Sequence, residues 1–375
     1  MSAEKEDLLT IFLSGDVMTG RGIDQALPHP SNPLLHEPYV TNARDYVALA
    51  QHANGPFSYP VDFAYIWGDA LEEWERRAPD LRIINLETGI TQSSDFWKGK
   101  GVHYRMHPKN TAVLATAKID FCSLANNHIL DWGYTGLMET METLSKWKVM
   151  VAGAGRNRQE AGAPAVFEIH GKGKVSVFSY GFESSGIPAD WAATDARPGV
   201  NLLEDLSDKT AESLKERIHE VVRSPAITIA SIHWGGNWDY QISKAQIEFT
   251  HKLIDEAGID LIHGHSSHHV KGIEVYNGKL VLYGCGDFLN DYEGIEGYEE
   301  FRGDLSLMYF ASLDPSNGKL VQMRMVPTRM NRFRVTRASD EEAIWLRNTL
   351  NRESQRFGTQ VKFQEEDHSL LLLWD

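Results

Sequence analysis

Apolar runs of strand length recur along this chain and alternate with segments of helical period. The runs are residues 8–14, 81–86, 119–125, 149–152, 175–180, 226–232 and 259–262. Between two of them, Ala211, Leu214, Ile218 and Val221 are spaced by 3, 4 and 3 residues behind a possible Ser207 cap, which is typical of an amphipathic helix. A second helix is predicted over about 244–257. This alternation predicts an α/β fold.

The second half of the chain adds hairpin signals. Asn277-Gly278 and Asn317-Gly318 each separate two strand-like runs, so antiparallel strands should join the parallel ones and give mixed sheets. A last helix is predicted over 340–356, where Ser339 and Glu342 have capping-box spacing. Six prolines between residues 22 and 62 indicate a long insertion that could act as a lid.

Composition excludes several classes of protein. With 52 acidic and 37 basic side chains, the formal net charge is −15, which disfavours nucleic acid as a partner. Two cysteines, Cys122 and Cys285, lie far apart in apolar stretches and indicate neither a disulfide framework nor a thiolate zinc site. The first seven residues are acidic and no apolar run approaches ~18 residues, so we expect a cytoplasmic protein without a membrane anchor.

Polar side chains that can bind metals or transfer protons follow five of the apolar runs. Ligands bind at the carboxyl ends of strands in open α/β sheets, so these residues should face one crevice. They are Asp16 after the first run, Glu87 after the second, Asn126-Asn127-His128 after the third, His233 after 226–232, and His263, His265, His268 and His269 after 259–262.

Each of these residues also has an ordinary structural explanation. Asp16 can be a turn residue, Glu87 a solvated strand end, His233 a core histidine, and the 126–128 string an Asx-turn. The four histidines within 263–269 favour a metal, because packed imidazoles repel when charged and need partners when neutral. One metal centre explains all five strand ends, and a mixed carboxylate, amide and imidazole set suits Mn²⁺, Fe²⁺ or Zn²⁺. Two such ions can support in-line displacement at a phosphoester.

The order of these motifs resembles the CapA family, the bacterial capsule or poly-γ-glutamate synthesis proteins of the calcineurin-like metallophosphoesterase superfamily. The resemblance extends from about residue 8 to 291 and implies a four-layer αββα sandwich with mixed sheets. The matching strings are Gly15-Asp16-Val17-Met18 with Arg21, Asn85-Leu86-Glu87, Ala125-Asn126-Asn127-His128 with Asp131 and Gly133, His233-Trp234-Gly235, Gly264-His265 with His268, and Tyr283-Gly284-Cys285-Gly286-Asp287-Phe288.

The resemblance also implies a role for each site residue. Asp16 and His268 would bind a first metal, and Glu87 would bridge to a second metal held by Asn127, His233 and His265. His128 would be the general acid, and Arg21 would hold an anionic group of the substrate. Met18 stands where the superfamily usually carries a histidine, so the first metal site would be weak or empty. Residues 1–335 would form the catalytic domain, with 336–375 packed on it as a helix and tail.

Three functions are compatible with this pattern. The first is a metal-dependent hydrolase of a phosphoester or related anionic ester or amide, acting on a small-molecule or peptide substrate. The second is a metal-independent acid/base enzyme resembling the lasso-peptide epimerases of this family, in which Asp16 and His268 or His265 exchange a proton. The third is a non-catalytic accessory that binds poly-γ-glutamate, which the negative charge disfavours. The oligomeric state is left open by the sequence.

Aromatic and basic residues near these motifs are candidates for substrate contacts. Trp234, Trp238 and Tyr240 follow the 226–232 strand and could form the wall of a cleft. Arg105, between the second and third strands, could add an anion contact.

Overall fold

A computed structural model of the chain describes residues 8–222 and 226–375. The acidic N-terminal segment, residues 1–7, therefore lies outside the described residues. Within the described ranges there are twenty strands. They are β1 (Leu9–Val17), β2 (Leu81–Leu86), β3 (Gly89–Ile90), β4 (Arg105–Met106), β5 (Phe121–Ser123), β6 (Met150–Ala152), β7 (Ala154–Gly155), β8 (Ala165–Ile169), β9 (Gly173–Gly181), β10 (Gly199–Val200), β11 (Ala226–His233), β12 (Leu261–His265), β13 (Ile273–Tyr276), β14 (Lys279–Leu282), β15 (Asp287–Leu289), β16 (Leu305–Leu313), β17 (Leu320–Asn331), β18 (Arg334–Arg337), β19 (Gln360–Gln364) and β20 (Ser369–Leu373).

Nine α-helices occur in the same described part of the chain. The helix predicted behind Ser207 is present, and Ser207 caps it by accepting a hydrogen bond from the backbone N–H of Thr210. The capping box of Ser339 and Glu342 is also confirmed. The helices are α1 (Arg21–Ala26), α2 (Arg44–Asn54), α3 (Ala70–Arg77), α4 (Ala112–Thr116), α5 (Gly133–Lys146), α6 (Arg158–Ala161), α7 (Asp208–Val221), α8 (Lys244–Asp255) and α9 (Asp340–Ser354).

The strands form two large mixed sheets. The ten-stranded sheet has the order β19-β20-β17-β16-β1-β2-β5-β6, with β15 paired to β1 and β18 to β17. The six-stranded sheet has the order β13-β14-β12-β11-β9-β8. Strands β1, β2, β5 and β6 run parallel to one another, as do β9, β11, β12 and β14. The predicted hairpins add the antiparallel pairs β13–β14 and β16–β17.

Alternation of side chains along the strands packs the two sheets face to face. Ile11 and Leu13 of β1 share one core cluster with Val177 of β9 and Ile229 of β11, so this cluster lies between the sheets. Phe12, of opposite phase, joins a second cluster with α1 to α5. A third cluster packs α7 and α8 on the outer face of the six-stranded sheet. The predicted four-layer αββα sandwich with mixed sheets is therefore confirmed.

The last part of the chain pairs with the larger sheet. Residues Arg324 and Met325 of β17 pair with Leu371 and Leu370 of β20, and β19 extends this edge. The division into 1–335 and 336–375 stays a prediction. In the described residues, no helix is long and apolar enough to cross a membrane.

Candidate functional site

The polar strand ends predicted from the sequence meet at one edge of the sandwich. In the larger sheet, Asp16 of β1 is in register with Asn85 of β2 and with Asp287 of β15. In the smaller sheet, His233 of β11 is in register with His265 of β12. The side chains of these residues are almost completely buried. The two sheets therefore present their polar strand ends to each other.

A glycine makes the close approach of β1 and β15 possible. A Cβ atom at Gly15 would lie 1.7 Å from the carbonyl oxygen of Gly286, so no other residue fits there without movement of the backbone. The ladder between β1 and β15 also shifts register between Asp16 and Val17, as in a β-bulge. The shift and the close approach together place Asp16 beside Asp287.

Two groups of three potential ligands share Asp16. In each group, one ligand atom from every residue lies within 4.8 Å of the others, and all members are buried. The first group is Asp16, His233 and His265, with His265 Nδ1 at 3.9 Å from Asp16 Oδ1. The second is Asp16, His268 and Asp287, in which His268 Nδ1 lies 2.9 Å from Asp287 Oδ1. Asp16 is thus the residue common to both groups.

Glu87 lies beside these groups without belonging to either. Its Oε1 atom is 3.9 Å from His233 Nε2 and 3.7 Å from His128 Nε2. Burial, followed by repulsion from Asp16 and Asp287, raises the pKa of Glu87 well above its usual value. Its bridging role stays a prediction.

The Asp16 carboxyl group has a raised pKa and one oxygen without a hydrogen-bond partner in the described part of the chain. Burial, followed by repulsion from Asp287, raises its pKa to about 7. One oxygen, Oδ1, accepts a hydrogen bond of 2.7 Å from Asn85 Nδ2. The other, Oδ2, is buried and has no partner among the described residues. Three buried carboxylates, those of Asp16, Glu87 and Asp287, therefore crowd one place, which favours either their protonation or a nearby cation.

Hydrogen bonds behind His265 fix its tautomer. His263 Nε2 is 2.7 Å from the carbonyl oxygen of Ser14 and must donate to it, which leaves Nδ1 of the neutral ring as an acceptor. Burial lowers the pKa of His263 to about 4, so the ring is neutral at pH 7. Ser231 Oγ donates to His263 Nδ1 at 3.1 Å and accepts from His265 Nε2 at 2.9 Å. His265 Nδ1 is therefore the unprotonated nitrogen, and it lies 2.8 Å from His233 Nδ1 and 3.9 Å from Asp16 Oδ1.

Each ring nitrogen of His233 lies within hydrogen-bond distance of one polar side-chain atom. Its Nδ1 atom is 2.8 Å from His265 Nδ1, and its Nε2 atom is 3.1 Å from Asn127 Oδ1. A neutral ring donates from one nitrogen only, so with Asn127 in this orientation the other contact brings two lone pairs together. Burial lowers the pKa of His233 well below its usual value, which disfavours protonation of both nitrogens. The unpartnered Asp16 Oδ2 and a donor set of carboxylate and imidazole are of the kind that fits a divalent cation.

Tyr104, Lys100 and Asp131 surround His128. His128 Nδ1 is 2.6 Å from Asp131 Oδ2, and its ring stacks on Tyr104 with centroids 3.8 Å apart. Lys100 Nζ contacts Asp131, the carbonyl oxygen of Asn127 and, at 3.0 Å, His128 Nδ1. Burial, and then the charge of Lys100, lowers the pKa of His128 well below its usual value. His128 Nε2 faces Glu87 at 3.7 Å, so the imidazole lies at the edge of the carboxylate cluster.

The guanidinium of Arg21 is engaged by the protein itself. It forms hydrogen bonds of 3.2 and 2.5 Å to Asp291, contacts Glu37 at 3.2 Å, and donates to Tyr46 Oη at 2.9 Å. Its backbone has φ of 43°, which a residue with a Cβ rarely adopts. The predicted contact between Arg21 and a substrate stays a prediction and requires this network to rearrange.

Of the remaining predicted residues, the structure brings only Trp238 to the site. Trp234 is 1% exposed and donates a hydrogen bond to the carbonyl oxygen of Tyr283 in the third core cluster. Arg105 stacks on Trp132 at 3.8 Å and donates to two backbone carbonyls. Tyr240 packs on His269, with ring centroids 4.5 Å apart. The Trp238 ring centroid lies 5.0 Å from that of His268.

Several residues of the site were not assigned a role from the sequence. Asp287 follows an apolar strand like the other ligands, so the signal that identified Asp16 also applied to it. Met18, at the position of the expected histidine, is buried and accepts a backbone hydrogen bond from Gly20 through Sδ. Lys100 lies in a loop, and no pattern in the sequence indicates its contact with His128.

Comparisons with known proteins agree with the motifs. A family model described as "Bacterial capsule synthesis protein PGA_cap" matches residues 10–292. Probable polyglutamine synthesis accessory proteins from two strains of Mycobacterium tuberculosis are 46% identical over 360 residues, covering 96% of this chain and 94% of each relative. The PGA biosynthesis protein CapA of Bacillus subtilis is 27% identical over 307 residues, covering 81% of this chain and 68% of the relative.

A solved structure also aligns with most of the chain. It is named "GAP50 the anchor in the inner membrane complex of Plasmodium", and the alignment covers 96% of this chain and 98% of that one. The TM-score of 0.33 and the identity of 9% are too low to support an inference.

Proposed function

We propose that this chain, which belongs to the bacterial capsule synthesis protein PGA_cap family, is a divalent-metal-dependent hydrolase of a phosphoester or a related anionic ester or amide. The family membership confirms the resemblance found in the sequence motifs. The hydrolase assignment depends on one observation above all: the buried carboxylates and the directed lone pairs of neutral imidazoles converge within ligand distance of one another.

We assign the potential ligands to two neighbouring ion positions that share Asp16. Asp16, His233 and His265 would hold one ion. Asn127, which lies at the opposite ring nitrogen of His233, stays a predicted ligand. Asp16, His268 and Asp287 would hold the other, and Glu87 would contribute from the side of His233. Ions bound at these positions would supply Lewis-acid chemistry and lower the pKa of a water nucleophile. In this proposal Asp287 would replace the ligand that is lost because Met18 stands where the superfamily usually carries a histidine.

His128 moves the proton in this proposal. The Asp131 carboxylate accepts a hydrogen bond from Nδ1–H and orients the ring, while stacking on Tyr104 fixes its plane. Nε2 is the atom that faces the cluster. In the neutral Nδ1–H ring it carries a lone pair, so it would first take the proton of the attacking water and then pass that proton to the leaving oxygen. The charge of Lys100 disfavours the imidazolium form and would so favour transfer of that proton onward to the leaving oxygen.

The names of the relatives suggest where this activity is used. The relatives from M. tuberculosis and B. subtilis are named for polyglutamine or PGA synthesis. We infer that this chain acts as an accessory in the synthesis of a glutamate polymer. A non-catalytic accessory role is the alternative that these names favour by themselves.

One contact favours a metal-independent acid/base reaction as a second candidate. Asp16 and His268 lie within the same three-residue group, so an acid and a base are close enough to act on one substrate atom. Burial opposes protonation of His268, but Asp287 outweighs it and the pKa of His268 is raised. A protonated His268 and an ionised Asp16 can exchange a proton with a peptide without any ion.

One experiment separates these candidates. Protein purified without chelators is assayed by elemental analysis and on bis(4-nitrophenyl) phosphate with Mn²⁺, Fe²⁺ or Zn²⁺. The hydrolase proposal expects bound metal and an activity that is lost with EDTA and in His233→Ala but kept in His219→Ala, an exposed control on α7. Solvent deuterium that enters a peptide in the presence of EDTA would favour the second candidate. Protein without metal and without activity under every condition would overturn both.

A further inference from the structure

A cavity of about 280 Å³ adjoins the site on the side of His268 and Asp287. Asn290 lines it, and the Nδ2 atom of Asn290 donates a hydrogen bond of 3.0 Å to Asp287 Oδ2. Trp238 lines it as well, with its ring centroid 5.0 Å from that of His268. One wall of the cavity is therefore supported directly by the second group of ligands.

The same cavity reaches toward the proposed proton-transfer residue. Tyr292 lines it, and the Tyr292 hydroxyl is 2.8 Å from that of Tyr104. The Tyr104 ring is the one that stacks on His128. A substrate group bound in the cavity would thus lie near the potential metal ligands and near Tyr104, whose ring stacks on His128.

The walls of the cavity are largely aromatic and apolar. Tyr298 stacks on Trp238 with centroids 4.3 Å apart and planes within 8° of parallel. Met330 and Ala53 contribute further apolar surface from β17 and α2. Flat aromatic walls of this kind favour a planar or branched hydrocarbon group by burial and stacking.

The charged residues of the lining are already paired within the protein. Arg302 binds Asp304 through two hydrogen bonds and contacts Glu342 at 3.2 Å. Arg329 contacts Glu342 at 2.9 Å. The Glu293 carboxylate accepts two backbone N–H groups and one side-chain amide. Within the described ranges, Arg329 Nε has no hydrogen-bond partner, but the acidic side chains of the lining, Glu293, Glu299 and Asp304, outnumber its two arginines, so the lining disfavours an anionic chain.

We propose that this cavity binds an uncharged aryl or alkyl group of the substrate. The inference deepens the proposed function and rests on it: the scissile anionic ester lies at the metal ligands, and its hydrophobic substituent enters the cavity. A stretch of carboxylates, as in a glutamate polymer, meets more acidic than basic side chains there and would have to pass elsewhere on the surface.

The test separates the cavity from the metal site. In the first arm, saturation-transfer NMR follows the binding of benzyl alcohol to metal-free protein. Tyr298→Ala removes one aromatic wall, and its side chain is 47% exposed, so the fold should tolerate the change. Ala53→Phe, at an exposed position of α2, fills the cavity instead. Tyr39→Ala, at a tyrosine that is 96% exposed and does not line the cavity, is the matched control.

In the second arm, calorimetry compares phenylphosphonate with methylphosphonate on protein supplied with Mn²⁺. We expect benzyl alcohol to bind wild type and Tyr39→Ala alike, with the signal reduced at least about fivefold in the other two variants. Phenylphosphonate should bind about 30-fold more tightly than methylphosphonate, the effect of burying one ring, and Tyr298→Ala should lower this ratio while leaving methylphosphonate unaffected.

Three results distinguish the ways in which this account can fail. Absence of benzyl alcohol binding, or equal binding in all variants, overturns the inference. Displacement of benzyl alcohol by a γ-glutamyl trimer at lower concentration than by phenol also overturns it. Binding of benzyl alcohol with no binding of either phosphonate overturns the proposed function and leaves an apolar cavity without an adjacent anion site.

Discussion

Asp16→Asn removes one of three crowded carboxylates while nearly keeping its shape. Burial, followed by repulsion from Asp287, raises the pKa of Asp16 from 3.8 to about 7. When an acid has a higher pKa in the folded than in the unfolded state, the folded protein binds its proton more tightly, so the folded state is stabilised at low pH. That contribution is lost as the pH rises from about 4 through about 7. The difference corresponds to about 4 kcal/mol, since each pH unit is worth about 1.4 kcal/mol.

In the presence of EDTA, we therefore expect the variant to be more stable than wild type at pH 8 by up to about 4 kcal/mol. The stability difference between variant and wild type should grow by about 2–3 kcal/mol from pH 5 to pH 8. Urea unfolding followed by tryptophan fluorescence at several pH values measures it. Asp190→Asn, at an exposed aspartate, is the control and should show no such trend. A variant that is less stable at pH 8, or a difference independent of pH, would refute the reasoning about the carboxylate cluster.

Three further predictions concern the residues around this cluster. Arg21→Met should lower the free energy of unfolding by about 3–5 kcal/mol, because it leaves two buried carboxylates unpaired; adding Glu37→Gln should restore part of the loss in urea unfolding, and no restoration would contradict the pairing. Ser231→Ala should weaken Mn²⁺ binding about 10–100-fold in calorimetry, because the tautomer of His265 is no longer fixed; unchanged affinity would contradict that chain of hydrogen bonds. His128→Asn should lower kcat about 10²–10⁴-fold with Mn²⁺ affinity unchanged, and a kcat equal to wild type would exclude His128 from proton transfer.

Much of the fold was accessible from the sequence because hydrophobic periodicity determines which faces are buried. The run 81–86 became strand β2 with the same bounds, and the Asn277-Gly278 turn joins β13 to β14. The run 119–125 gave only a three-residue strand, β5, although Leu124 and Ala125 after it are also buried in the core. Burial alone does not specify where a strand yields to a loop.

The candidate site was accessible only in part, for a related reason. Polar residues directly after buried parallel strands lie at the same edge of the sheets, so Asp16, His233 and His265 were predictable as neighbours. Trp234 also follows a strand end, yet its side chain is buried in the core. The adjacent His233 belongs to the site, so the sequence did not indicate that Trp234 packs elsewhere. Lys100 reaches His128 from a loop whose path depends on tertiary contacts such as the hydrogen bond from Trp97 N to the Asp131 carbonyl oxygen.

The central claim is that the converging carboxylates and imidazoles form a divalent-metal site, and calorimetric titration of chelator-treated protein with Mn²⁺ tests it most directly. The account predicts saturable binding to wild type, strong weakening in Asp16→Asn, which is common to both ligand groups, and no change in Asp190→Asn. Failure of wild-type protein to bind Mn²⁺, Fe²⁺ or Zn²⁺, or equal binding by Asp16→Asn, would contradict it.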